Sequence, residues 1–135
     1  MHPRKIAAIN AVLFFFFWLL ILLAGADFPP PRAFLWITLA IAACAIAVYW
    51  RIPTYLDWYL TQRPGRLALV ILDGLIVGFV MAAVFILNRN GEPSVPAMGL
   101  ADYAIWFVIL GLIGVFNAAA LYIINVLIVR KLEHD

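Results

Sequence analysis

Four long stretches of this chain are almost free of charge: Ile6–Ala26, Ala33–Trp50, Leu67–Asn88 and Tyr103–Val129. A helix needs about 20 apolar residues, within a range of about 17–25, to cross the hydrocarbon core of a bilayer. In that core every backbone polar group has to be satisfied internally, which leaves helices or closed barrels. None of the four stretches alternates apolar with polar residues, as a barrel strand does. The expected fold is therefore all-α: an integral membrane four-helix bundle, formed as one domain by residues 1–135. The overall make-up agrees, with 67% hydrophobic and 12% charged residues. Soluble proteins average about 45–50% and 25%, and the excess apolar surface has to meet lipid.

The basic residues set an expected orientation. Arg4 and Lys5 precede the first span; Arg51, Arg63 and Arg66 lie between the second and third; Arg130 and Lys131 follow the fourth. Only Arg32 and Arg89 fall on the opposite side. The positive-inside rule then places both termini and the middle loop in the cytoplasm, with the chain in the cytoplasmic membrane of a bacterium. The first span also resembles a signal peptide, with basic residues ahead of it and Ala24-Gly25-Ala26 behind. Its apolar run exceeds the roughly 7–15 residues of a signal h-region, so it is expected to stay uncleaved.

The loops predict turns and one further element. Asp27–Arg32 contains Pro29, Pro30 and Pro31, which cannot continue a helix, so the first two spans should be antiparallel neighbours. Asn88–Asp102 carries Gly91, Pro93, Pro96 and Gly99, again turn signals. In the middle loop, residues 51–66, Thr54-Tyr55-Leu56-Asp57 fits a capping pattern and Arg63-Pro64-Gly65 a stop. That predicts a short interfacial helix from about Tyr55 to Gln62. Its aromatic residues suit the membrane–water boundary, and Tyr55, Trp58 and Tyr59 are candidates for an anchor or a docking surface.

Within lipid, helices associate by close backbone approach and interhelical hydrogen bonds rather than by hydrophobicity. Gly74, Gly78 and Ala82 form a small-residue stripe on the third span. Gly111, Gly114 and Ala118 offer a second on the fourth. These six residues are the expected helix-packing positions, whether within the chain or between subunits. Ala40, Ala43, Cys44 and Ala47 place the second span against that pair. Phe14–Phe17 and Trp18 are bulky and predict a face for lipid or a partner's groove.

Asp73 is the one charge within the four spans. A carboxylate at the centre of a membrane helix costs about 2.5–3.5 kcal/mol on insertion scales, so such residues face protein or water. With a rise of 1.5 Å per residue, Asp73 lies about 10 Å from Arg66 along its helix. Asn10 and Asn125 are about 7–8 Å from Lys5 and Arg130, and Tyr122 about 12 Å from Arg130, by the same rise. Asp73, Asn10, Asn125, Tyr122 and, higher up, Asn117 are therefore the candidate intramembrane polar cluster. Three roles are open to Asp73. Its neighbours can satisfy it as structural glue; a basic residue of another subunit can pair with it, since no Lys or Arg of this chain lies deep in a span; or it can handle ions or protons.

Several function classes are disfavoured. Catalysis needs a nucleophile with a base, a metal cluster or paired carboxylates within reach. The spans hold one carboxylate and no His, Lys or Arg. His2 and His134 stand at opposite ends and Cys44 is alone, so no metal, cofactor or disulfide is expected. A net charge of +2, scattered along the chain, is no nucleic-acid footprint. Length and span count match the small multidrug resistance transporters, but those depend on a Glu in the first helix. Here that helix has no acid, so no residue roles carry across. The expectation is a non-enzymatic subunit or accessory protein of a membrane complex, with other membrane subunits or itself as partner. The alternative is a small oligomeric ion- or proton-coupled transporter or channel using Asp73.

Overall fold

A computed structural model of the chain contains four α-helices: α1 Pro3–Gly25, α2 Phe34–Thr61, α3 Gly65–Asn90 and α4 Leu100–His134. The structure describes residues 3–25, 34–61, 65–90 and 96–134, with side chains for 3–24, 34–53, 67–89 and 96–131. The proline connection at 26–33 and the tip of the 88–102 loop lie outside the described residues. All four helices are long and apolar enough to cross a membrane.

The helices outrun the spans. With a rise of 1.5 Å per residue, the 35 residues of α4 extend about 52 Å, well past a hydrocarbon core of about 30 Å. Its start is built by a cap. The Asp102 carboxylate accepts from the Gly99 N–H at 3.0 Å, while the Gly99 carbonyl accepts from the N–H groups of Asp102 and Tyr103 at 3.1 and 3.2 Å. That is half of a capping box, with the acid in the first turn, where the helix dipole favours it.

The 28-residue α2 also corrects an expectation. Its backbone continues past Trp50 and through Pro53 to Thr61, so the separate short helix expected after Thr54 is the C-terminal part of α2 itself. Pro53 removes one backbone donor, the one that would reach the Tyr49 carbonyl, but membrane helices tolerate this where surroundings satisfy the freed group. The side chains of Tyr55, Trp58 and Tyr59 lie outside the described residues.

The bundle is two helical hairpins joined face to face. α3 packs most extensively on α4, and α1 on α2; α1 also meets α4, and α2 meets α3 and α4. Among the described residues α1 and α3 stand further apart, with no close backbone approach, and share the core only through side chains. α2 thus meets α3 and α4 as its small residues lead one to expect, with Cys44 and Ala47 lining a cleft against them, and it packs more extensively on α1. Its buried Ile37, Ile41 and Ala45 join a core shared by all four helices, whereas Ala43 is exposed. The expectation for the bulky run of α1 is corrected. Phe14 and Trp18, four residues apart, point together into the core, with ring centroids 6.3 Å apart, and only Phe16 of the run is exposed. A second buried cluster joins Ile6, Ala7, Ile52, Val70 and Val129, which puts the two termini at one end of the bundle.

The α3/α4 seam shows why glycine is required there. A Cβ on Gly74 would stand 2.6 Å from the Gly114 carbonyl oxygen and 2.7 Å from the Ala118 Cβ. One on Gly78 would meet the Leu110 carbonyl and lie 2.7 Å from the Gly111 Cα. One on Gly114 would meet the Gly74 carbonyl. The obstacles are backbone, which moves only if the helices separate. Gly111 differs: its Cβ would meet the Phe79 ring edge at 2.9 Å and the Leu75 Cδ1 at 3.1 Å, and side chains can turn away. Ala82 continues the stripe and is fully buried. Gly78→Ala or Gly114→Ala should therefore cost about 1–3 kcal/mol, the usual toll of overpacking, and Gly111→Ala distinctly less. Thermal unfolding of the three variants in one detergent tests this; equal losses at all three positions would contradict the backbone-contact argument.

Candidate functional site

Two polar clamps join the hairpins, and they differ in kind. The first crosses from α1 to α4. Asn10 Nδ2 donates to Asn125 Oδ1 at 2.7 Å, and Asn125 Nδ2 donates back to Asn10 Oδ1 at 2.8 Å. Asn10 Nδ2 also donates to the Ile6 carbonyl at 2.8 Å. Both residues are 0% exposed. An amide suits such a site because it both donates and accepts, so two of them close a ring without adding charge. In lipid such bonds are worth about 0.6–2 kcal/mol each, and they fix helix register.

The second clamp crosses from α2 to α3. Arg51 Nε donates to Asp73 Oδ2 at 3.0 Å and Nη2 donates to Oδ1 at 3.2 Å, a two-pronged pair. This corrects the expectation that Asp73 has no basic partner in its own chain. Arg51 closes the apolar stretch of α2 and so reads as a boundary residue. Its long arm nevertheless spans to the neighbouring helix, and the guanidinium fork fits a carboxylate. The pair is not sealed: the side chains are 61% and 32% exposed.

The candidate polar residues are therefore divided between places. Asn10 and Asn125 form the buried clamp, and Asp73 belongs to the ion pair. Tyr122 is half-buried against the Ile6–Val129 cluster and has an interaction of its own. Asn117 is 5% exposed and, among the described residues, has no hydrogen bond. The other polar side chains of the spans serve their own helices: Thr38 Oγ1 donates to the Phe34 carbonyl and Asn88 Nδ2 to the Val84 carbonyl, each at 2.8 Å. The Trp18 indole N–H is buried without a partner.

Asn117 and the ion pair share one cavity. A cleft of about 260 Å³ opens between α2 and α3, floored by α4. Its walls are apolar, with Phe14, Val48, Ile52, Val77 and Leu121 among them. Arg51, Asp73 and Asn117 are the polar groups facing it. Sequence reasoning singled out Asp73 and Asn117 but missed Arg51. The available signal was its position beyond the apolar stretch on the helix preceding Asp73. An apolar pocket with a few convergent polar groups is the usual form of a ligand site.

No protein-family model, curated protein or solved structure matches this chain.

The reciprocal amide ring makes a signed prediction. Asn10→Leu alone should destabilise the bundle, because Asn125 is left buried with the partner amide gone. The double change Asn10→Leu, Asn125→Leu should recover part of that loss, since neither amide is then left facing a leucine. Unfolding of the two singles and the double in detergent micelles would show it; strictly additive losses would sink the idea.

Proposed function

We propose that the chain is a small non-enzymatic protein of the cytoplasmic membrane, with both termini in the cytoplasm. It acts as a subunit or accessory of a membrane assembly, with other membrane helices as its partners. The observation that carries this reading is the outer face of α4. Ile105, Ile109, Leu112, Phe116, Ile123 and Leu127 are all exposed and follow one another at helical spacing. They form a ridge into which another membrane helix can set its side chains. Between 22% and 33% of each span is buried within the chain, so most of the surface is left for lipid or for partners.

The clamps support a scaffold rather than a pathway. Asn10, Asn125, Arg51 and Asp73 bind one another across the helices, as groups that hold register do. Transport built on Asp73 would first have to break its pair with Arg51. The seven-to-two distribution of basic residues supports the orientation, because Lys and Arg resist translocation. The aromatic run at Tyr55, Trp58 and Tyr59 would then lie at the inner surface, where such rings anchor or dock.

The partner reading is tested by placing a cysteine at Leu112 or Phe116 with Cys44→Ser, then cross-linking in native membranes. An adduct with a second polypeptide is expected from these positions and not from Trp36 on α2. No adduct, together with a strictly monomeric particle in mild detergent, would rule the partner reading out. In proteoliposomes, Asp73→Asn should leave ion and proton flux at the background of wild type. A flux present in wild type and lost in the variant would favour a transporter.

A further inference from the structure

We infer that the cleft between α2 and α3 is a phospholipid site, selective for a phosphoethanolamine head group. It would hold one acyl chain between the helices and set the head on the Arg51–Asp73 pair. The inference goes beyond the subunit reading and does not depend on which way the chain faces.

Position argues first. Ile6, Ile52 and Val129 pack in one cluster at the termini end of the bundle, and Lys5, Arg51 and Arg130 adjoin them in sequence. Arg51 therefore stands at the end of the bundle where basic residues collect, as they do beside lipid head groups. From there the cleft runs inward between apolar walls, from Ile52 and Val70 to Cys44 and Val77. A void of about 260 Å³ with such walls has too few polar partners to hold ordered water throughout. Ala47 and Ile76 line it and are exposed, so it is open on the side that faces hydrocarbon.

Charge argues next. Among the described residues the mouth presents a guanidinium and a carboxylate side by side, of opposite charge. An anionic head attracted to Arg51 would be repelled by Asp73, and a simple cation would meet the reverse. A zwitterion satisfies both: its phosphate accepts from the exposed guanidinium, and its primary ammonium donates to the carboxylate. Two oxygens offer about four acceptor positions, of which Arg51 takes two, and the Asp73 side chain is 32% exposed. A quaternary ammonium has no N–H to donate, so choline lipids should bind less well.

Asn117 supplies an independent observation. The residue is 5% exposed, lines the cleft and has no hydrogen bond among the described residues, so its amide is reached through the cleft. A bare acyl chain would leave it so. A glycerolipid carries ester carbonyls just below its phosphate, and one of these can accept from the Asn117 Nδ2.

The test is native mass spectrometry of the full chain in mixed micelles. These contain equal amounts of phosphatidylethanolamine, phosphatidylglycerol and phosphatidylcholine of one acyl composition. Retention of the ethanolamine lipid should exceed that of the other two by about tenfold, the factor expected for one hydrogen bond to a charged group. Asp73→Asn should abolish the preference over choline, and Asn117→Leu should lower retention of the ethanolamine lipid. Ala47→Trp fills the cleft and leaves Asp73 in place, so it tests the site even if Asp73→Asn fails to fold; it should abolish retention while helicity is kept. Equal retention of the three lipids overturns the proposal. So does a preference for phosphatidylglycerol, which would make Arg51 a plain anion site, or wild-type retention by a folded Ala47→Trp protein.

Discussion

The backbone contact of α3 with α4 sets the geometry from which the rest of the bundle follows. At Gly74, Gly78 and Gly114 one helix lies on the carbonyls of the other with no side chain between them. In lipid, where apolar side chains gain nothing by leaving the solvent, such closeness is a main source of attraction between helices. It makes α3 and α4 one stiff plate. The α1/α2 hairpin has no such seam and packs by filling space instead, with Phe14, Trp18, Ile37 and Ile41. The cleft lies between the two hairpins, bordered by α2, α3 and α4.

The two clamps follow the same division. Between α1 and α4 the joining groups are neutral amides, both fully buried. Between α2 and α3 the joining groups are ions that line a cleft. Burying an ion pair costs more than burying an amide pair, because two charges give up their solvation. A charged clamp therefore belongs at an edge that remains partly open, and its exposure agrees. The surface-like position also limits its worth. A partly exposed pair contributes about 0–1 kcal/mol, so it adds little to stability compared with the glycine seam.

Much of this was legible in the sequence. Runs of apolar residues define helices in lipid with little ambiguity, because the medium leaves the backbone no alternative. The glycine stripes marked the contact faces, since nothing but close approach explains small residues at four-residue spacing inside a span. What was not legible depends on reach and rotation. Arg51 was read by its place on the helix, but its guanidinium acts several ångströms from its backbone. Phe14 and Trp18 were read by bulk, which does not distinguish a lipid-facing ring from a core ring. The pairing of α2 with α1 follows from the short proline connection, but its extent relative to the other contacts of α2 does not, because alanine fits any neighbour.

Asn117 and the Asn10–Asn125 ring carry the same chemistry to different ends. Three asparagines lie in the core of the bundle, all nearly or fully buried. Two satisfy each other, and a bundle needs no more than that to fix the register of α1 on α4. A third, with no hydrogen bond among the described residues, adds nothing to that register. A leucine there would pack as well, so an argument from helix register does not account for it. Its place with Arg51 and Asp73, on the wall of a cleft between the hairpins, supplies a physical reason. An unpaired amide in an apolar cleft stabilises whatever brings it a carbonyl.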